Sequence, residues 1–272
     1  MGLLLQLYLQ QFLVFVFVLT RIGALVMTLP SISSNGVPMQ VKALLAVTIA
    51  LLVTPLQWGQ EVPEPANLAH LTSMMAKEGM LGLALGATMH LLLAGMQLAG
   101  QVIGQVSGFS MADVFDPTFD ENISVFAQLL ETVAVAIFFI VGGHRLLIDA
   151  LISSFDWMPP GKGNLPPDLP EALTDIASRS FEVALRAAAP VMVSLLLATL
   201  IVAVISRTLP QLNALALGMN LNALVVLGAL AVCLGSAMWV FEAELVPTIQ
   251  QVVSVFSAEA LPTVDPQSLP GS

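Results

Sequence analysis

Charge is absent from two long stretches of the chain, 79–112 and 208–241, each 34 residues. Apolar runs recur at about 3–29, 41–58, 79–107, 122–144, 187–206 and 209–241. Each is near the roughly 20 residues that cross a bilayer as a helix, so the pattern predicts six spanning helices. The two uncharged stretches are too long for one upright crossing. At about 1.5 Å per residue, such a helix reaches about 51 Å, against a hydrocarbon core of roughly 30 Å. These helices tilt, break or continue beyond the lipid. In the last run, Gly218 with Asn213, Asn220 and Asn222 marks a break, and Pro210 stands at the start, where proline is tolerated.

The connections carry the polar residues. Residues 59–78 form a polar loop entering a helix, and 156–170 are proline-rich, with a helix starting near Glu171. Beyond that start, Asp175–Arg179 and Glu182–Arg186 are acid–base pairs at i,i+4 in the favourable order. The tail 262–272 has the composition of a disordered segment.

Composition narrows the class. The chain has 272 residues, 57% hydrophobic and 10% charged, against roughly 25% charged in soluble chains. Mean hydropathy is +0.91. An all-α polytopic membrane protein follows. Net charge is -10 with eight basic residues, which argues against a nucleic-acid partner. The single Cys233 excludes an internal disulfide framework. The first residues lack a basic region and a small-residue cleavage site, and read as a retained helix. Counting Lys and Arg in alternating loops puts 59–78, 145–186 and both termini in the cytoplasm.

Within the third span, two stripes run side by side. Gln97, Gln101 and Gln105 recur every four residues, and so do Gly100, Gly104 and Gly108. On a helix each set lies along one face. The glycines permit close approach of another backbone, and the glutamines can hydrogen-bond across that contact. A glutamine row facing lipid would leave amides unsatisfied at several kcal/mol each. The helix therefore faces protein or water, either inside the chain or at a subunit boundary or pore.

Other candidates are single residues. Glu131 lies inside the fourth span, where an unpaired charge is expensive, and Arg21 in the first span is its natural partner. His90 reads as a packing residue. His70, His90 and His144 lack metal-ligand spacing, and GKGN at 161–164 lacks the frame of a phosphate loop. No catalytic constellation, metal site or cofactor site emerges. The loop 108–121 mixes four acids with Phe109, Met111, Phe115 and Phe119. These groups either pack on the loop's own helix ends or seal a constriction by excluding water. Arg21, Glu131 and His90 could alternatively form the relay of a secondary transporter.

Four segments together resemble one family. RIGALVMTLPSISSNGVPMQVKALLAV (21–47) is similar to the first helical hairpin of the FliR family of bacterial type III export-gate proteins. GQVSGF (104–109) with the Asp-Pro at 116–117, FAQLLETVAVAIFFIVGGHRLLIDALISSF (126–155) and LPQLNALALGMNLNALVVLG (209–228) continue the resemblance. Gln128, Gly143, His144, Leu147, Ile148, Phe155, Pro210, Asn213 and Gly218 match the pattern; Arg145 and Glu131 depart from it. The resemblance implies a non-enzymatic subunit of the flagellar export gate in the bacterial inner membrane, at the basal body. It implies FliP and FliQ as ring partners, FlhB and FlhA as neighbours, lipid contact, and unfolded flagellar export substrates passing through the centre. It further implies a helical hetero-oligomeric ring partly outside the bilayer. Residues 1–170 would be the FliP-like part, 171–246 a FliQ-like hairpin, and 247–272 a C-terminal helix and tail. The loop 108–121 would contribute to a plug, and the glycine and glutamine stripes would serve packing between neighbouring subunits.

Overall fold

A computed structural model describes residues 2–29, 37–60, 62–108, 124–208 and 214–260. Among them every regular element is helical. They are α1 (Gly2–Thr28), α2 (Met39–Val53) followed by a 3-10 turn (Thr54–Gln57), α3 (Leu68–Ser107), α4 (Val125–Val141), α5 (Gly143–Trp157), α6 (Leu169–Thr208) and α7 (Ala214–Ala260). Five helices are long and apolar enough to cross a membrane, six if the bent α4–α5 pair counts as one. The chain is an all-α polytopic membrane protein, as its hydropathy predicts.

Helix lengths depart from the sequence expectation in two places. The fourth span does not continue to residue 144. Gly142 takes a left-handed conformation (φ 83°), its N–H closes α4 on the Phe138 and Phe139 carbonyls, and α5 leaves at a bend of 65°. A glycine adopts this conformation without the Cβ clash that other residues meet. The predicted break near Gly218 is also corrected, since α7 runs unbroken for 47 residues. Pro190 in α6 and Pro247 in α7 each remove one backbone hydrogen bond without ending their helix. At 40 residues, α3 and α6 are each about 60 Å long, twice the hydrocarbon thickness.

The chain divides into two compact units. The first comprises 1–90, 145–174 and 248–272; the second comprises 91–144 and 175–247. In the first, α1 packs on α2 and on the 3-10 turn. Phe17, Val18, Ile22 and Leu25 of α1, Leu81, Leu85 and Met89 of α3, and Leu151 and Phe155 of α5 are buried there. Helix α3 meets α1 through Gly82 and Gly86. A Cβ on Gly82 would overlap the Arg21 carbonyl, and one on Gly86 would overlap Thr28 Oγ1. In the second unit, Leu92, Met96, Ala99 and Ile103 of α3 are buried with Ala127, Leu130 and Ala134 of α4 and Val183, Ala187 and Val191 of α6.

Candidate functional site

Two arrangements concentrate the polar chemistry, one in each unit. In the first unit Arg21 is completely buried and every N–H of its guanidinium is used. Nε donates to Glu78 Oε2 at 2.7 Å, and Nη2 lies 2.7 Å from the same oxygen. Nη1 donates to the Ser154 carbonyl and to Ser154 Oγ, each at 3.0 Å, and Nη2 donates to the Met158 carbonyl at 3.0 Å. The guanidinium carbon stands 4.2 Å from the centre of the Phe155 ring, within cation–π range. Glu78, 1% exposed, uses its other oxygen to accept the Gly161 N–H at 2.8 Å. Gly161 sits at φ 78°, and a Cβ there would meet Phe17, Met74 and Val62 at 3.0–3.2 Å. One ion pair thus ties α1, α3 and α5 to the turn that leads into α6.

This geometry corrects one pairing and one relay. The partner of Arg21 is Glu78 and not Glu131, and no donor of Arg21 remains for a proton or ion path through Glu131 and His90. His90 is exposed and Glu131 half-buried. The sequence placed Glu78 at the end of a polar loop. It stands instead within α3, inside the apolar interior, where its charge is tolerated because Arg21 neutralises it. The spacing of Gly82 and Gly86 was a readable signal of the adjoining helix contact, equal to that of Gly100 and Gly104.

In the second unit the glycine stripe meets the chain's own next helix. A Cβ on Gly100 would overlap Ala127 and the Phe126 carbonyl, and one on Gly104 would overlap Ser124 Oγ. Moving forward along α3 from 100 to 104 moves backward along α4 from 127 to 124, so this contact is antiparallel. The close approach expected of these two glycines is made inside the chain. Gly108 differs: it ends α3 at φ 81°, and among the described residues nothing lies within 4 Å of where its Cβ would stand. Gln97 and Gln101 are half-buried and Gln105 is exposed. Gly95 is pressed against the Ser180 backbone of α6. Phe109, Met111, Phe115 and Phe119 lie outside the described residues.

His144, at the start of α5, packs its ring 5.6 Å from that of Phe139, and its Nδ1 is buried without a hydrogen-bond partner. Helices α6 and α7 are linked by charges. Arg186 pairs with Glu182, as the i,i+4 spacing predicts, and lies 4.0 Å from Glu244, while Arg179 lies 3.8 Å from Glu244. These half-exposed pairs contribute about 0–1 kcal/mol each.

The arrangement belongs to a chain with recognisable relatives. Residues 12–246 match the family described as bacterial export proteins, family 1. The chain is 32% identical over 213 residues to the flagellar biosynthetic protein FliR of Escherichia coli (strain K12), covering 78% of this chain and 81% of that protein. It is 29% identical over 227 residues to FliR of Bacillus subtilis (strain 168), covering 81% and 85%. With FliR of Caulobacter vibrioides the figures are 26% over 222 residues, covering 81% and 88%. The match runs from within α1 to within α7 and takes in both units, so this chain belongs to the bacterial export proteins, family 1, the family of FliR.

Proposed function

We propose that this chain is a structural, non-enzymatic subunit of the flagellar protein export gate. It resides in the bacterial inner membrane at the flagellar basal body. Its partners are FliP and FliQ, with which it forms the pore for unfolded export substrates, and it lies beside FlhB and FlhA. The observation that carries the reading is the family match over 12–246, together with relatives whose name is flagellar biosynthetic protein FliR. Residues 1–170 act as the FliP-like part, 171–246 as a FliQ-like hairpin and 247–272 as a C-terminal helix and tail. The segment 108–121 contributes to a plug, with Phe109, Met111, Phe115 and Phe119 excluding water from the resting pore.

The test is purification from membranes in mild detergent, followed by native mass spectrometry. One hetero-oligomer holding this chain with the FliP and FliQ products supports the proposal. A stable monomer or homodimer without partners refutes it. The plug is tested separately by combining Phe115→Ala with Phe119→Ala and measuring ion leakage across resting membranes. Raised conductance supports the plug, and unchanged conductance removes it.

A further inference from the structure

We infer that one flank of the α3–α4 hairpin lines a water-filled passage and hydrogen-bonds the backbone of an extended polypeptide moving along it. The inference rests on the export-gate reading and assigns it a surface. The two helices are antiparallel where Gly100 faces Ala127 and Gly104 faces Ser124. On a helix each residue is turned about 100° from the one before. On antiparallel neighbours, one step beyond the contact turns both helices toward the same side. Gln101 and Gln105 follow the contact glycines, and Gln128 follows Ala127. One helical turn away, Gln97 and Thr132 extend the two rows, and Glu131 stands beside Thr132. The side chains of six polar residues are thus gathered on one flank.

Among the described residues of the second unit, none closes over this flank. Helix α6 approaches α3 from another side, at Gly95, and the buried residues Leu92, Met96, Ala99 and Ile103 lie away from the glutamines. Gln105, Gln128 and Thr132 are exposed, and Gln97, Gln101 and Glu131 are half-buried. Leu129 and Ile140 make the adjoining exposed side of α4 apolar, and Val125 and Phe139, seven residues before and after Thr132, bound the row along the helix. The polar flank is therefore a bounded strip on an otherwise lipid-compatible helix.

Chemistry selects the occupant. Lipid would leave the amides and the carboxylate unsatisfied. Glu131 makes no ion pair among the described residues, so a dry contact with another helix would strand its charge. Water satisfies all six groups. A primary amide donates and accepts, as every peptide unit does, so a neutral glutamine row binds any backbone weakly and without regard to its side chains. The strip also begins where α3 ends at Gly108 and α4 begins after Ser124, the two ends from which residues 109–123 depart. It therefore starts at the foot of the proposed plug.

The test uses single cysteines in a Cys233→Ala background, in the assembled gate in native membranes. Gln101→Cys, Gln128→Cys and Thr132→Cys report the polar flank, and Leu129→Cys and Ile140→Cys report the apolar one. The probes are membrane-impermeant cationic and anionic methanethiosulfonates. Polar-flank cysteines should react roughly tenfold faster than apolar ones, because only a hydrated thiol ionises to the reactive thiolate. At Thr132→Cys the cationic reagent should be favoured, and Glu131→Gln should abolish that preference. A stalled export substrate should protect the polar flank. Equal rates on both flanks, or reaction only with membrane-permeant N-ethylmaleimide, overturn the inference. Co-purification and export are scored on the same variants. An assembled, exporting gate with unreactive polar-flank cysteines removes this inference alone. A wild-type chain that never co-purifies with gate subunits removes the export-gate reading as well.

Discussion

Glu78→Gln isolates the charge of the buried ion pair while keeping the shape of the side chain. Glu78 takes two contacts from Arg21 at 2.7 Å and one from the Gly161 N–H at 2.8 Å. Glutamine retains an acceptor but leaves a guanidinium at 0% exposure uncompensated. Removing one partner of a buried pair costs about 3–5 kcal/mol. On the scale of soluble domains, where 1 kcal/mol moves the melting point by roughly 2–4 °C, the variant should melt about 6–20 °C lower. The assay is thermal unfolding of the full-length chain in mild detergent, run as a double-mutant cycle with Arg21→Met. The double variant no longer strands a charge. It still leaves the Met158 carbonyl without the Arg21 donor, at about 1–3 kcal/mol where it stays dry, whereas the Ser154 carbonyl keeps the Met158 N–H and the introduced glutamine can still accept from the Gly161 N–H. It should therefore remain less stable than wild type, yet lose clearly less than the two single losses combined. Glu131→Gln provides the comparison and should leave the melting point unchanged. The reasoning fails if Glu78→Gln melts within about 1 °C of wild type, or if Glu131→Gln shifts it equally.

Three further substitutions probe the close approaches. Gly82→Leu forces a side chain into the Arg21 carbonyl and should separate α1 from α3; loss of protease resistance in membranes would show it. Gly100→Leu does the same between α3 and α4. It should destabilise the isolated chain and not merely its assembly, so a stable, protease-resistant monomer would contradict the intrachain contact. Gly161→Ala places a Cβ at φ 78° and should cost about 1–2 kcal/mol, read as a lower melting point with the ion pair still formed.

The sequence made the helices legible because hydropathy and length report them directly. It made Glu182–Arg186 legible because the pair is local. Gly100 and Gly104 announced a close contact, and their partner proved to be the next helix along. Arg21 was legible as a buried charge in need of a counter-ion, but its partner was not, since 57 positions separate Arg21 from Glu78. Any acid near an apolar run satisfies the same requirement, and only the three-dimensional packing chooses Glu78 over Glu131. The bend at Gly142 was missed for a different reason. Hydropathy averages over a window and passes through Gly142 and Gly143 without a change of sign, whereas the bend is set by a single φ angle. Gly218 shows the converse, because a glycine with nearby asparagines has low helix propensity and still lies within an unbroken helix.

The uneven burial of the long helices sets where substitutions take effect. In the apolar window of α3 61% of the residues are buried within the chain, against 22% in α2, 22% in α6 and 17% in α7. On α6 the exposed residues Val193, Leu196, Leu197, Leu200, Ile201 and Val204 recur at three- and four-residue steps, a continuous apolar face. Such a face is stable only against lipid, detergent or protein, since water disfavours each apolar group by about 25 cal/mol per Å². The chain's own packing is therefore densest along α3, held by Arg21–Glu78 and the glycine approaches, while the outer faces of α6 and α7 depend on what surrounds them. Substitutions in the ion pair should register in the isolated chain. Polar substitutions on the outer face of α6 should register only when its surroundings change from detergent to membrane or assembly.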